Sequence, residues 1–427
     1  MRRTTTLTAA ALLGLALVNP TTAVAAGETC RGEAATIVGQ PGRTLTGTEG
    51  RDVVATNGAS RVDTLGGDDL ICITGEHEGP SDLTVDLDSG PGSDLVDATV
   101  VRGWAVSGEL GSGSDTFLGG DGSDAVYGGD LTGSGHADTE ADVLLGGNGY
   151  DLLRSGQSAS ANADVVDGGR GDDQLTVLGT RSGGGVVAGG EGVDALTLDL
   201  RPETNVLDAG LGSLTGGPSE PLDFSDIEQF YVTDEVDADL EFLGTPGDDL
   251  LNTLATGRLT ARTGSGDDRL FARRAPAAGS RLDAGPGRDS LTTGTEARKL
   301  SFDMRRGLLR AGAMTYPARG FENAHLMARV VVMRGTGSQN LLDVLACRGT
   351  VDGRDGNDRI ARVLDYSFDT YDFDCTERLT LRGGNGRDQL RGGGGPDRLL
   401  GGRGRDTAEG GGGRDVCVAE RRKSCER

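Results

Sequence analysis

Aromatic side chains are scarce in this 427-residue chain, at 4% with a single tryptophan, and only three histidines (His77, His136, His325) accompany them. Hydrophobic residues of all kinds reach 35%, against a net charge of −24. A chain so poor in apolar surface and so charged cannot offset its ordering entropy by burial alone. Ordinary globular domains are therefore a poor description, although the length would hold two or three of them. The shortage of histidine also removes much acid–base and metal chemistry. There is no H-E-x-x-H, no G-x-S-x-G, no Walker A loop and no strict G-x-G-x-x-G. Each histidine sits in a loop-like context and reads as solvated or structural. The helix signal is poor everywhere after the first residues.

What the chain does have is acid, glycine and a distinctive start. Acidic residues number 66 against 42 basic ones, and there are 74 glycines. A partner must supply the missing free energy. Divalent cations suit so acidic a chain, whereas nucleic acid and anionic membranes are disfavoured. Arg2 and Arg3 precede an apolar stretch from Ala9 to Val18, and Ala23-Val24-Ala25 fits an A-x-A cleavage site. Residues 1–26 have the layout of a secretory signal peptide, too short for a membrane span, so a secreted, extracellular protein is expected. All six cysteines lie beyond it. An even count in an exported protein points to three disulfides. Nearest-neighbour pairing, Cys30–Cys72, Cys347–Cys375 and Cys417–Cys425, is the expectation.

Internal repetition is plain near the C-terminus, where GGNGRDQLR, GGGGPDRLL, GGRGRDTAE and GGGGRDVCV run consecutively from Gly383 to Val418. Glycine holds positions one, two and four, and aspartate holds position six: Asp388, Asp397, Asp406 and Asp415. Weaker copies place Asp115 and Asp124 nine residues apart. Others place Asp151 nine after Asp142, Asp173 nine after Asp164, and Asp194 in GGEGVDALT. Isolated matches carry Asp52, Asp69, Asp94, Asp249, Asp268, Asp289 and Asp358. These sixteen motif aspartates, with Asp142 and Asp164 serving only as phase marks, are the candidate metal ligands.

The nonapeptides resemble the RTX, or haemolysin-type, calcium-binding repeat G-G-x-G-x-D-x-U-x. CRGEAATIVG, LTGTEGRDVV and LGGDDLIC resemble secreted actinobacterial calcium-binding proteins, and FENAHLMARVVVMRGTGSQNLLDV looks like an inter-repeat segment of such families. The resemblance implies an all-β fold, a parallel β-roll or β-helix solenoid of nonapeptides with irregular inter-repeat strands, and Ca²⁺ as the cofactor. Elementary chemistry agrees. Glycines curl tightly and aim carbonyls inward, the aspartate adds a hard anionic oxygen, and such an oxygen-rich cage suits Ca²⁺ better than Mg²⁺. Position eight, held by Leu390, Leu399, Ala408 and Cys417, must point into the core. Two nonapeptides would make one 18-residue coil, setting Asp388 with Asp406 and Asp397 with Asp415 on opposite edges. Arg387, Arg405 and Arg414 stand directly before motif aspartates. They either pair with the carboxylates or point outward.

The nonapeptide lapses between Asp194 and Asp249 and between Asp289 and Asp358. Alternation of apolar and polar residues there reads as strands continuing the solenoid without ions. The expected layout is a signal peptide at 1–26 and an RTX-like β-roll at 27–200. A degenerate solenoid follows at 201–346, then C-terminal repeats with a disulfide cap at 347–427. Trp104, Phe224, Phe230 and Tyr231 read as core rather than as a carbohydrate platform. No catalytic unit stands out, so the expectation is a non-enzymatic, calcium-folded extracellular scaffold. A calcium-dependent adhesin binding a cell-surface glycan or protein is the second reading, and a polysaccharide-active enzyme on a β-helix the third.

Overall fold

In a computed structural model the described residues are 28–75, 83–100, 102–129, 138–156, 161–181, 185–200, 202–216, 221–232, 237–362, 371 and 373–426. The expected signal segment, His77 and His136 fall outside them. Among the described residues nearly all regular structure is β, and the one helical turn is the 3-10 segment Met304–Arg306. The strands form two long sheets. Face I runs from Thr44–Thr48 to Arg421–Lys423, each strand pairing in parallel with the next coil. Face II runs from Ile37–Val38 to Val416–Val418. Terminal strands have one partner each, so both sheets are open-ended. The chain is a β-roll, passing from face I to face II at an outbound edge and back at a return edge.

Short strands with one inward side chain in two make the core a narrow double row. On face I, Val126, Leu153, Leu175, Leu196, Phe230, Leu251, Leu270 and Leu291 are in register on successive coils, and all are buried. Leu390, Leu399, Ala408 and Cys417 are buried as position eight requires. Trp104, Phe224 and Phe230 also lie in the core, and Phe224, Phe230 and Phe242 meet edge to face. Tyr231 is only half-buried.

Two features depart from a uniform 18-residue coil. Successive stacked aspartates are separated by as few as 17 residues and as many as 30, because residues are inserted at the edges. In addition, the two repeat-poor gaps each contain a three-strand antiparallel meander in face II. In the first, Asn205–Asp208, Ser213–Gly216 and Leu222–Ser225 lie between the parallel strands Val186–Glu191 and Leu240–Leu243. In the second, Lys299–Asp303, Leu308–Ala311 and Met314–Arg319 lie between Arg281–Asp283 and Val330–Arg334. The gaps do continue the solenoid as strands. The reversals in direction could not be read from alternation, which is the same for parallel and antiparallel strands.

The three disulfides are Cys30–Cys72, Cys347–Cys375 and Cys417–Cys425, the nearest-neighbour set. The first ties the hairpin of Thr29–Cys30 and Glu33–Ala34 over Val53 and Leu70, covering the outer side of face II at its start. The last fastens the C-terminal coil beneath Ala408.

Candidate metal centre

The turn at 168–173 shows how the repeat works. The position-four amide of one coil donates to the position-three carbonyl of the next: Gly149 to Arg170 at 2.7 Å, then Gly171 to Glu191 at 2.9 Å. The position-two carbonyl accepts the position-three amide of the next coil, as Gly120 does from Asn148 at 2.7 Å and Gly393 from Gly412 at 2.8 Å, and the position-four carbonyl also faces the next coil. A Cβ on Gly169 or Gly171 would collide with the carbonyl oxygens of Gly147 or Gly149 one coil earlier. Both residues also need φ near 101° and 135°, which L side chains rarely adopt. Gly168 is glycine for a different reason: a Cβ there would strike Oδ2 of Asp173, the aspartate of its own turn.

Position six builds a ladder. The backbone amide of each motif aspartate donates to Oδ1 of the aspartate one coil on. At the outbound edge this joins Asp52, Asp69, Asp94, Asp115, Asp142 and Asp164 at 2.7–2.9 Å. At the return edge it joins Asp124, Asp151, Asp173 and Asp194, then Asp249, Asp268 and Asp289, then Asn340, Asp358, Asp388 and Asp406. Asp397 and Asp415 form a last outbound pair at 2.8 Å. Asp388 thus lies beside Asp406, and Asp397 beside Asp415, on opposite edges. Four ladders end on a glutamate that takes the final amide: Glu228 after Asp194, Glu322 after Asp289, Glu420 after Asp406 and Glu426 after Asp415.

Stacking consumes Oδ1 and leaves Oδ2 inside the turn. Oδ2 is buried without a hydrogen-bond partner in Asp69, Asp94, Asp115, Asp124, Asp142, Asp151, Asp173, Asp194, Asp268, Asp289, Asp358, Asp388, Asp406 and Asp415. Unpaired buried carboxylate oxygens are costly, and a row of them needs a cation or protons. Burial, aided by the neighbouring Asp115 and Asp69, pushes Asp94 up to about 8. Burial likewise raises Asp115 and Asp124 to about 7 and Asp142, crowded by Asp138 and Asp164, to about 9. No motif aspartate forms an ion pair among the described residues, and Arg387, Arg405 and Arg414 are exposed, pointing outward.

Three motif aspartates are differently placed. Asp52, Asp249 and Asp397 each close their own turn, Oδ2 accepting the position-two amide of Thr48, Thr245 or Gly393 at 2.6–2.7 Å. Each opens a ladder. Asn340 opens another and does the same with Thr336 at 2.8 Å. An amide side chain suffices there, so these opening turns work without a carboxylate charge. The sequence singled out none of Asn340, Glu228, Glu322, Glu420 and Glu426, because none sits in the full motif. Asp142 and Asp164 served only as phase marks, and Asp164 Oδ2 accepts a hydrogen bond from the Ser155 hydroxyl. His325, expected in a loop, is instead buried on Phe321–Met327 with Nδ1 3.0 Å from Asp343 Oδ2.

Among the described residues no three His, Cys, Asp or Glu side chains converge on one point. The cradle is of another kind, with position-two and position-four carbonyls aimed along the stack and one orphaned carboxylate oxygen per turn. An all-oxygen set drawn largely from the backbone fits Ca²⁺, which accepts six to eight oxygens in flexible geometry. The RTX calcium-binding nonapeptide repeat matches this chain in four copies, over residues 110–130, 136–175 and 381–417. No curated protein matches significantly. The turns of Asp69, Asp94, Asp194, Asp268, Asp289 and Asp358, outside the matched stretches, leave Oδ2 unpartnered in the same way. With its repeats folded as stacked glycine turns on a parallel β-roll, the chain is an RTX-type calcium-binding repeat protein.

Proposed function

We propose that the protein is exported and acts outside the cell as a non-catalytic scaffold that calcium orders. The observation that carries the reading is the row of buried Oδ2 atoms without a partner. The residues proposed to hold calcium are the thirteen motif aspartates other than Asp52, Asp249 and Asp397, with Asp142 added. The position-two and position-four carbonyls of the same turns complete the set. A bound cation supplies the charge compensation that the fold otherwise lacks. Because the ligands belong to successive coils, binding free energy becomes folding free energy. Export is supported by three disulfides and by the signal-like residues 1–26.

Far-UV circular dichroism during a calcium titration from EDTA tests this. The expected outcome is a cooperative rise in β signal at ~0.1–1 mM Ca²⁺, the range of extracellular modules, with Mg²⁺ ineffective. A chain equally folded in EDTA would overturn the calcium reading. For export, the protein recovered from the medium should begin near residue 27, and retention inside the cell would refute that part alone.

A further inference from the structure

The outer side of face II changes character from the second meander onward. Its outward residues there are Lys299, Ser301 and Asp303 on the first strand, then Val330, Val332 and Arg334, then Arg348, Thr350 and Asp352. Arg378, Thr380 and Arg382 follow, then Arg398 and Leu400. Strand register aligns them in three rows. Lys299, Val330, Arg348 and Arg378 form one outer row, and Asp303, Arg334, Asp352 and Arg382 the other. Between them run Ser301, Val332, Thr350, Thr380 and Arg398, with Arg310 beside Ser301.

Lys299, Arg310, Arg348, Arg378, Arg382 and Arg398 are all exposed and form no ion pair among the described residues. In a molecule of net charge −24, six unpaired cations on one sheet face are not a sample of the average surface. The nearby Asp303 is outnumbered, with Arg354 at 3.2 Å, Arg334 at 3.7 Å and Arg306 at 3.9 Å. It helps line a recess of about 190 Å³ in which Lys299, Arg306, Arg310 and Arg334 outnumber it.

We propose that this face binds a carboxylate-bearing polysaccharide laid across the strands. Guanidinium forks match carboxylates bidentately, and the central hydroxyl row of Ser301, Thr350 and Thr380 can exchange hydrogen bonds with sugar hydroxyls. Four strand spacings, from Lys299–Asp303 to Arg398–Gly404, give a track of about 19 Å. Nucleic acid fits less well. The three rows hold no aromatic side chain on which bases could stack, and a flat sheet offers nothing to enter a groove.

The test is fluorescence anisotropy with labelled hyaluronan in millimolar calcium, with dextran as the uncharged control. The chain should bind hyaluronan, not dextran, and lose affinity as salt rises. The variant R348Q/R378Q/R382Q/R398Q should bind at least tenfold more weakly. A variant with the same charge change on face I, R269Q/R359Q/R391Q/R421Q, should stay within twofold. All four substitutions in each set are at exposed, outward positions, and circular dichroism in calcium verifies that both variants fold. No binding of hyaluronan by the unaltered chain would overturn the proposal. So would equal losses in the two variants, or equally tight binding of a short DNA duplex.

Discussion

Asp249 and Asp268 occupy the same motif position one coil apart, yet their carboxylates do different work. Oδ2 of Asp249 accepts the Thr245 amide while its Oδ1 is buried without a partner, and burial pushes its carboxyl up to about 6. Asn340, in the equivalent opening turn, keeps the accepting oxygen and uses its Nδ2 to donate to the Glu322 carbonyl at 2.6 Å. D249N should therefore leave the calcium count unchanged and stabilise the folded chain by ~1 kcal/mol, relieving a buried orphan. D268N removes charge from an open turn. It should abolish one bound ion in isothermal titration calorimetry and raise the calcium midpoint. If the two variants lost calcium equally, the distinction between opening and stacked turns would fall. The motif showed that both positions want an oxygen. It could not show which way the position-two amide points, and that orientation decides whether the oxygen is already taken.

At the scale of the turn and strand, space rather than torsion explains the first glycine of the repeat. Gly383 lies against Oδ2 of Asp388, as Gly168 lies against Asp173. G383A should cost ~1–3 kcal/mol, as overpacking does, seen as a lower urea midpoint in saturating calcium. An unchanged midpoint would mean that the turn can relax around a methyl group. The terminal glutamates invite a parallel experiment. E322A leaves the Asp289 amide without its acceptor and should cost ~1–3 kcal/mol, whereas E322Q, which keeps an oxygen, should cost less. Much of this level was legible beforehand. The nine-residue phase located the turns, the inward residues and the opposite edges of the C-terminal pairs, because a repeat needs only local spacing. The meanders were not legible, since whether Leu308–Ala311 runs with or against Lys299–Asp303 depends on the Gly307 turn and on the neighbouring coil. Nor were the terminal glutamates Glu228 and Glu322, which gain their role from a partner 34 or 33 residues away.

For the whole molecule, the stacked carboxyls couple folding to pH in an unusual direction. Burial raises eight of them, Asp94, Asp115, Asp124, Asp142, Asp151, Asp194, Asp289 and Asp358, above the unfolded value near 4, to between about 6 for Asp151 and about 9 for Asp142. Between those limits the cation-free fold holds more protons than the unfolded chain, so its stability falls as pH rises. Calcium requires the deprotonated groups, so its affinity rises over the same window. In EDTA the β signal should be stronger at pH 5 than at pH 8, and the calcium midpoint should be lower at pH 8 than at pH 6. A cation-free chain that gains structure on going from pH 5 to pH 8 would contradict this. The meanders bear on shape as well. Each adds two strands to face II while face I continues one strand per coil. Face II is therefore longer than face I by roughly 10 Å at each meander, across sheets about 10 Å apart. The meanders thus place the excess length on face II, the same face that carries the arginine rows.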